Sequence, residues 1–346
     1  MTLQLWDIMR LRKWGYALSL LVTIPGLIVL ILNVMNGHGA LNWGVDFTGG
    51  NFLHVRLERP FDTGQVREVV DRFATGESVI QKAEKTPQEA FIRTRPLTLQ
   101  GKTQLLAALK DRFGAVTVLR EDQVGPKVGQ ELRSLAITSI IIGLALQVVY
   151  ISYRFKSIRY ALSADIALVH DLLVVVGVFA MTRKEVNSSF VAVLLTVLGY
   201  SMHDTIVVFD RIRENLALRT RETFDRLVNR SLLEALVRSV NTSLTAILAI
   251  AAVYFFGGVT IRDFSFGLMV GILTGTYSST FTATALIVDW THWADRRAGR
   301  VVRVEEDVPP AAPPSRAPVL ETATPEGGSA RTATGQGPRR HRSRRR

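Results

Sequence analysis

Six blocks of apolar residues, each close to the length that crosses a lipid bilayer, constrain this chain more than any other feature. A spanning helix needs about 20 mostly apolar residues, because the hydrocarbon core is about 30 Å thick and a helix rises about 1.5 Å per residue. The blocks cover residues 14–34, 135–153, 160–181, 190–209, 239–256 and 264–290, and the fifth is short and rich in Ser and Thr. The pattern predicts a polytopic α-helical membrane protein with six transmembrane helices.

The residue inventory excludes several classes of site. The 346 residues include no cysteine and only six histidines, which are scattered. Disulfide scaffolds, Cys nucleophiles and iron–sulfur clusters are therefore ruled out, and a His-rich metal centre is not expected. No segment resembles a Walker lysine loop, a Ser/His/Asp set or a metal-ligand cluster. We predict a protein that is not an enzyme and has no cofactor and no metal.

Basic residues in the short loops predict the orientation. Lys and Arg are concentrated in residues 10–13, 154–159 and 211–230, which places these segments and both termini in the cytoplasm. The basic start of the first block also fits a signal peptide, but its apolar core is too long and no A-x-A-like site follows. We interpret residues 1–35 as a cytoplasmic N-terminus with an uncleaved first helix. The prediction is a multi-pass protein of a bacterial cytoplasmic (inner) membrane.

Residues 36–131 form one large loop on the outer face, between the first two helices. Their strand-like and helix-like patterns follow the order β-α-β-β-α-β, which predicts a ferredoxin-like α+β extracytoplasmic domain. Residues 37–131 carry 13 Lys/Arg and 12 Asp/Glu. This balance favours a polypeptide contact over steering of an anionic ligand.

The chain ends in a basic segment after a five-helix block at residues 132–293. Residues 294–346 are rich in Pro, Ala, Thr and Arg, which predicts a disordered cytoplasmic tail. Its charge is interpreted as attraction to anionic membrane lipid. Because aromatic residues are not interleaved with the arginines, no specific nucleic-acid site is predicted.

The polar residues within the fourth and fifth blocks are the candidate coupling site. Asp204 lies in an apolar helix, where a carboxylate costs about 2.5–3.5 kcal/mol and normally faces a partner inside the bundle. We expect that partner to be Arg238, which opens the fifth block. The helical spacing places three further polar residues on the same stripe, Asn241, Thr242 and Thr245. Proton or ion coupling and a static ion pair both fit this spacing.

Two further polar positions extend the candidate site. His203, next to Asp204, fits either a proton relay or a hydrogen-bonding packing residue. Asp171, in the third block, lies deep enough to belong to the same polar core.

Glycine patterns mark two other functional features. Gly267, Gly271 and Gly275 recur every fourth residue in the sixth block, which predicts close helix packing within the chain or between subunits. Turn-rich motifs flank the outer loop and predict either a hinge or a rigid collar. Their key residues are Gly44, Asp46, Gly49, Gly50, Gly125, Pro126 and Gly129.

Five motifs in this order resemble the SecF family of protein-export membrane proteins, over roughly residues 5–293. They are GVDFTGG at 44–50, VGPKVGQEL at 124–132, YSMHDTIVVFDRIREN at 200–215, LVRSVNTSLT at 236–245 and GLMVGILTGTYSS at 267–279. The related SecD family has a much longer first outer loop. The loop of about 95 residues therefore favours SecF.

The resemblance implies an accessory subunit of the Sec protein translocase, with a membrane fold like that of the RND proton-driven exporters. Such a subunit pairs with SecD and uses the proton-motive force to promote and complete preprotein translocation, after SecA has driven transport through the SecYEG channel. A YajC-type accessory subunit is a further implied partner. By motif position, Asp204 and Arg238 correspond to the family's charged proton-pathway pair, and a further carboxylate comes from SecD. The resemblance implies H⁺ as the coupling ion, with Na⁺ as an alternative. His203 departs from the family pattern, which usually has Asn there, and this difference bears on the pH response or the coupling ion.

Two other functions fit the same polar core. One is a subunit of a proton-coupled RND-type small-molecule exporter, although a single loop of about 95 residues is small for that class. The other is a structural assembly factor with a static ion pair.

Overall fold

The computed structural model describes residues 7–37, 39–74, 78–83, 86–218 and 222–297. The helices are α1 (Arg12–Met35), α2 (Val45–Thr48), α3 (Thr63–Val70), α4 (Leu99–Phe113), α5 (Pro126–Phe155), α6 (Ile158–Thr182), α7 (Ser188–Ala217), α8 (Phe224–Phe256), α9 (Val259–Ser278) and α10 (Thr284–Arg297). The strands are β1 (Asn42–Trp43), β2 (Gly50–Leu57), β3 (Val79–Lys82), β4 (Glu89–Thr94), β5 (Val116–Val124) and β6 (Glu185–Val186).

Five helices in the described ranges are long and apolar enough to cross a membrane. They are α1, α5, α6, α7 and α8, and each contains one of the first five predicted blocks. The chain is thus a polytopic helical membrane protein. The sixth block is divided into α9, a π-helical turn at Ser279–Ala283 and α10. Hydroxyl groups in this turn bond to carbonyls one turn back, as Thr280 does to Thr276 at 3.0 Å. A sixth crossing stays a prediction.

The helix bundle has a buried centre and an apolar exterior. Helices α6 and α7 carry most of the buried positions, including Val175, Phe179 and Phe209. Helices α1, α5 and α8 expose large apolar side chains instead, such as Leu21 and Leu248. Side chains of this kind are stable outside a bundle only where lipid or another subunit covers them.

The glycine ridge of α9 packs against α7 in the same chain. A side chain at Gly267 would meet Val193, one at Gly271 would overlap Val197, and one at Gly275 would meet Ser201. Both helices therefore contribute residues at four-residue intervals, and the two helices run parallel. Of the two arrangements that the sequence left open, the structure has the one within the chain.

Residues 50–124 fold into a four-stranded antiparallel sheet with two helices on one face. The strand order is β3-β4-β2-β5, and the elements follow the predicted order β-α-β-β-α-β. Alternate residues of β2, including Leu53 and Val55, are fully buried under α3 and α4. Asp62 and Gln65 form a capping box that starts α3.

Several boundaries differ from those that the sequence predicts. The helical spacing of residues 63–74 predicts a helix of that length, but α3 ends at Val70. The alternation of residues 115–120 predicts a strand there, and β5 continues beyond it to Val124. The helix α2 and the parallel pairing of β1 with β6 were not predicted, because strands of two residues leave no periodic pattern. Helix α10 continues to Arg297, so residues 294–297 of the predicted tail are helical. Residues 298–346 lie outside the described residues.

The α7–α9 contact predicts a specific effect of adding one methyl group. Gly271→Ala would place a Cβ against Val197, and overpacking of this kind costs about 1–3 kcal/mol. Gly199→Ala is the matched control, because a Cβ there meets nothing within 4 Å. We expect thermal unfolding in detergent to shift to lower temperature for Gly271→Ala alone. Equal unfolding of the two variants would contradict this packing.

Candidate functional site

Asp171 is the most deeply buried carboxylate of the bundle. Asp171 lies in the middle of α6 and is 0% exposed. The Oδ2 atom accepts hydrogen bonds from Ser201 Oγ on α7 at 2.6 Å and from Ser278 Oγ at the end of α9 at 2.7 Å. Nδ1 of His170 lies 3.1 Å from Oδ1. We predicted that Asp171 belongs to a polar core, and its buried position agrees with this. Its partners are mainly hydroxyl groups.

Asp204 lies one helical turn after Ser201 and is 2% exposed. Ser243 Oγ on α8 lies 3.3 Å from its Oδ2 atom, and Thr276 Oγ1 on α9 lies 2.7 Å from Ser243 Oγ. Two carboxylates and four hydroxyl groups thus link α6, α7, α8 and α9. We call this set, Asp171, Ser201, Asp204, Ser243, Thr276 and Ser278, the polar core.

Helix packing explains why the polar core is so compact. Gly275 packs against Ser201, so α9 approaches α7 closely at the level of the two carboxylates. The π-helical turn begins directly after Ser278. Such turns are rare and often occur at functional sites, because they shift the side chains that follow.

Arg238 does not pair with Asp204 in this chain. Among the described residues Arg238 forms no ion pair, and its side chain is exposed. The predicted stripe residues Asn241, Thr242 and Thr245 are exposed as well. In the isolated chain this stripe is exposed, and the charge of Arg238 attracts the Asp204 carboxylate without a direct ion pair.

The inward face of α8 is the neighbouring stripe, with Ser239 and Ser243 at 2% and 3% exposure. Both stripes carry polar residues at helical spacing, so periodicity could not distinguish them. His203 is exposed too, one position away from the buried face of α7. The sequence analysis did not predict the serines of the polar core, because single hydroxyl residues are common in apolar helices. The Ser/Thr-rich end of the sixth block was the one pattern that could have indicated them.

The two turn-rich motifs flank residues 50–124, which we call the outer unit after its predicted side of the membrane, and they pack against each other. Gly49 has a φ of +71°, and a Cβ there would lie 2.8 Å from Cα of Pro126. A Cβ on Gly129 would lie 3.0 Å from the amide nitrogen of Gly49. Close backbone approach and a left-handed backbone both require glycine. The two motifs thus form one packed contact, which we call the collar.

The collar is joined to the turn between α6 and α7. The amide of Gly44 donates to the carbonyl of Val186 at 2.8 Å, which continues the β1–β6 pairing. Asp46 Oδ2 accepts from the amide of Ser188, the first residue of α7, at 2.8 Å. The start of the outer unit is thus attached to the two helices that carry Asp171 and Asp204.

An ion pair connects the sheet of the outer unit to the same turn. Arg93 on β4 donates to Glu185 Oε2 at 2.5 Å and to Asn42 Oδ1 at 2.9 Å. Burial raises the pKa of Glu185 above its ordinary value, although the neighbouring guanidinium of Arg93 opposes this change. The carboxylate of Glu185 therefore becomes protonated at a higher pH than an exposed glutamate does.

The described residues contain no group of three or more His, Cys, Asp or Glu side chains placed to bind a metal ion. The polar core has acceptor carboxylates with hydroxyl donors, an arrangement that can take up and reorient a proton. A carboxylate only accepts hydrogen bonds, whereas a carboxylic acid has an O–H group that donates one. Protonation therefore changes the bonding between helices.

Removing a donor from the polar core is expected to destabilise the bundle. Ser278→Ala leaves the buried carboxylate of Asp171 with one hydroxyl donor fewer, at a cost of about 1–2 kcal/mol. Ser163→Ala is the control, because the Ser163 hydroxyl is buried on α6 and has no hydrogen-bond partner in the described part of the chain. Chemical unfolding in detergent should separate the two variants. If Ser163→Ala were the more damaging change, the network would not stabilise the bundle.

Breaking the ion pair at the collar is expected to loosen one region only. Arg93→Gln leaves Glu185 without its charged partner and should lower the local opening free energy of β1 and β6 by at least about 2 kcal/mol. Hydrogen exchange of the full chain measures this. Arg112→Gln is the control and breaks the exposed Arg112–Glu68 pair. It should change the local opening free energy of β1 and β6 by less than about 1 kcal/mol. Equal effects on β1 and β6 would disprove the special role of Arg93.

Comparison with known proteins places this architecture in one family. Residues 104–293 match the family model described as protein export membrane protein SecD/SecF, C-terminal. Protein translocase subunit SecF of Thermobaculum terrenum is 43% identical over 302 residues, which cover 82% of this chain and 93% of the relative. The SecF subunit of Desulfurispirillum indicum is 36% identical over 292 residues, with coverage of 82% and 90%.

Solved structures agree with the sequence relatives. The crystal structure of SecDF, a translocon-associated membrane protein from Thermus thermophilus, has a TM-score of 0.75 and 34% identity over 83% of this chain. A SecDF structure in a super-membrane-facing form has a TM-score of 0.61 and 32% identity over 85%. The chain spans only 39% and 40% of those longer chains. From the family match and these relatives together, the chain belongs to the SecD/SecF family of protein-export membrane proteins, and within it to SecF.

Proposed function

We propose that this chain acts as the SecF subunit of a bacterial Sec translocase and couples the proton-motive force to preprotein translocation. The observation that carries the proposal is the polar core, in which Asp171 and Asp204 are buried among hydroxyl groups from three helices, α7, α8 and α9. Carboxylates at such positions are costly and are found mostly on ion or proton pathways. H⁺ is the proposed coupling ion, and the mechanism uses no cofactor.

The proposed topology has six crossings, with both termini in the cytoplasm and the outer unit as a ferredoxin-like domain on the other side. The antiparallel strand order β3-β4-β2-β5 with both helices on one face supports this fold. The pairing of α9 with α7 supports the sixth crossing, because α9 runs alongside a spanning helix through three successive contacts.

Proton uptake would act on the outer domain through the turn between α6 and α7. A proton on Asp171 or Asp204 changes the hydrogen bonds between these helices. Their shared turn carries Glu185, which holds Arg93 of the outer domain, and Val186, which pairs with Gly44. A shift of α6 against α7 therefore moves the base of the outer domain. Repeated shifts bias an emerging preprotein outward.

The exposed stripe of α8 supports pairing with SecD. Arg238, Asn241 and Thr242 lie on the outside of this chain, in a helix apolar enough to span a membrane. A charged side chain in such a helix needs a partner or a water-filled path. We propose that SecD covers the stripe and His203, and supplies the carboxylate that pairs with Arg238. SecYEG, SecA and a YajC-type subunit are the further proposed partners.

Translocation in inverted membrane vesicles tests the proposal. A preprotein is arrested part-way, ATP is exhausted, and completion is followed with and without a proton gradient. We expect Asp204→Asn and Asp171→Asn to reduce gradient-driven completion to the level seen without a gradient. Asp165→Asn is the matched control, because Asp165 is an α6 carboxylate outside the polar core.

Equal membrane levels and retained SecD binding must be shown for each variant. Gradient-driven completion that persists in both core variants would refute proton coupling at this site. Loss of SecD binding together with activity would indicate a static structural role instead.

A further inference from the structure

A cavity of about 570 Å³ lies between the open face of the outer sheet and the ends of the membrane helices. The sheet contributes the rings of Phe52 and Phe91, which stack with centroids 6.1 Å apart. The opposite wall is formed by Arg183, Lys184 and Arg262, from the α6–α7 turn and the first turn of α9. The volume lies within the range of about 300–1,000 Å³ that is typical of ligand sites.

The lining of this cavity is strongly basic. Six of its residues are Lys or Arg and two are acidic, which leaves an excess of four positive charges. The outer unit as a whole is nearly neutral, so the excess is local. A concave surface of one charge sign concentrates ligands of the opposite sign. The charge therefore selects an anionic ligand.

Two guanidinium groups in the lining have unmet hydrogen-bonding capacity. Nε of Arg93 and Nε of Arg262 are buried, and neither has a hydrogen-bond partner within the described ranges. Lys184 is already paired with Asp263 at 2.6 Å, and Arg93 with Glu185. Arg262 makes no ion pair with any described residue, so its charge is not balanced locally. Each of these Nε donors is left for an acceptor from outside the described chain.

The position of the cavity identifies the source of the anion. Thr182 ends α6, Asn187 caps α7 and Arg262 lies in the first turn of α9, and all three residues line the cavity. Under the proposed topology, on which this step rests, the ends of spanning helices lie in the lipid headgroup layer. The most abundant anion in that layer is the phosphate of phospholipids. Guanidinium groups bind phosphate oxygens with charge-assisted hydrogen bonds.

We propose that this cavity is a binding site for the phosphate-bearing headgroup of an anionic phospholipid in the outer leaflet, with Arg262 as its principal ligand. The acyl chains extend from the cavity floor into the bilayer beside α6 and α9. Phe52 and Phe91 cover the headgroup from above. Because Arg93 also holds Glu185, the bound lipid would steady the sheet at the collar where proton uptake is transmitted.

Native mass spectrometry of the full chain, copurified with SecD and stripped of lipid in mild detergent, tests the site. Phosphatidylglycerol is titrated in, and phosphatidylcholine serves as the lipid without net charge. Arg262→Gln should weaken phosphatidylglycerol binding about tenfold, because it removes the unpaired charge and the buried donor. Arg262→Lys keeps the charge and should weaken binding less.

Arg159→Gln is the matched control, since Arg159 is an exposed arginine at the other end of α6 and does not line this cavity. It should leave the affinity within about twofold. Equal weakening by Arg262→Gln and Arg159→Gln would overturn the proposal in favour of nonspecific charge. Retained SecD binding and an unchanged unfolding temperature exclude misfolding of the Arg262 variants.

Two further arms separate other ligands from a lipid. Glycerol 1-phosphate carries the headgroup chemistry without acyl chains, and binding as tight as that of the lipid would show a soluble phosphate site instead. A photo-crosslinker in place of Phe91 that captures a translocating preprotein, but no lipid, would show a polypeptide site. If glycerol 1-phosphate binds as tightly as the lipid, or if the crosslinker at Phe91 captures no lipid, while gradient-driven translocation stays intact, this inference is refuted and the proposed function still stands.

Discussion

The structure depends on a single constraint, which is that a carboxylate buried in an apolar bundle must be given hydrogen-bond donors. Asp171 is fully buried and Asp204 nearly so, and the donors come from helices other than their own. This requirement fixes how α6, α7, α8 and α9 approach one another. Packing follows from it, because a serine reaches a neighbouring helix only where small residues such as Gly275 allow close contact.

The same helices connect the bundle to the outer unit. The turn between α6 and α7 is only five residues long, from Arg183 to Asn187. Its strand β6 pairs with β1, and its Glu185 binds Arg93. The next residue, Ser188, donates its backbone amide to the Asp46 carboxylate. A short turn transmits displacement of its helices because it has little length in which to absorb it. The hydrogen bonds of the polar core and those of the collar are therefore parts of one mechanical unit.

The sequence predicted the elements well and their facing poorly. The apolar blocks gave five of the spanning helices, and alternating patterns gave the strands of the outer sheet, because both signals are periodic over many residues. The inward face of α8 was assigned to Arg238 and its stripe, although Ser239 and Ser243 occupy it. The two stripes are adjacent and similarly polar, and only the positions of α7 and α9 distinguish them. Pairing between β1 and β6 joins residues 143 positions apart, which no local pattern reveals.

The two polar stripes of α8 differ in whether this chain supplies their partners. The inner stripe is satisfied within the chain, since Ser243 contacts both Asp204 and Thr276. The outer stripe has Arg238, which forms no ion pair with a described residue of this chain, and the exposed polar residues Asn241 and Thr242, on a helix that also exposes large apolar side chains. A charge on a spanning helix needs a partner or a water-filled path, and in the proposed complex a second subunit supplies the partner. In that mechanism one helix has a polar contact on each side, and a proton that alters the inner contact would shift the helix against the second subunit. The proposed coupling between subunits then follows from the same constraint that buries Asp204.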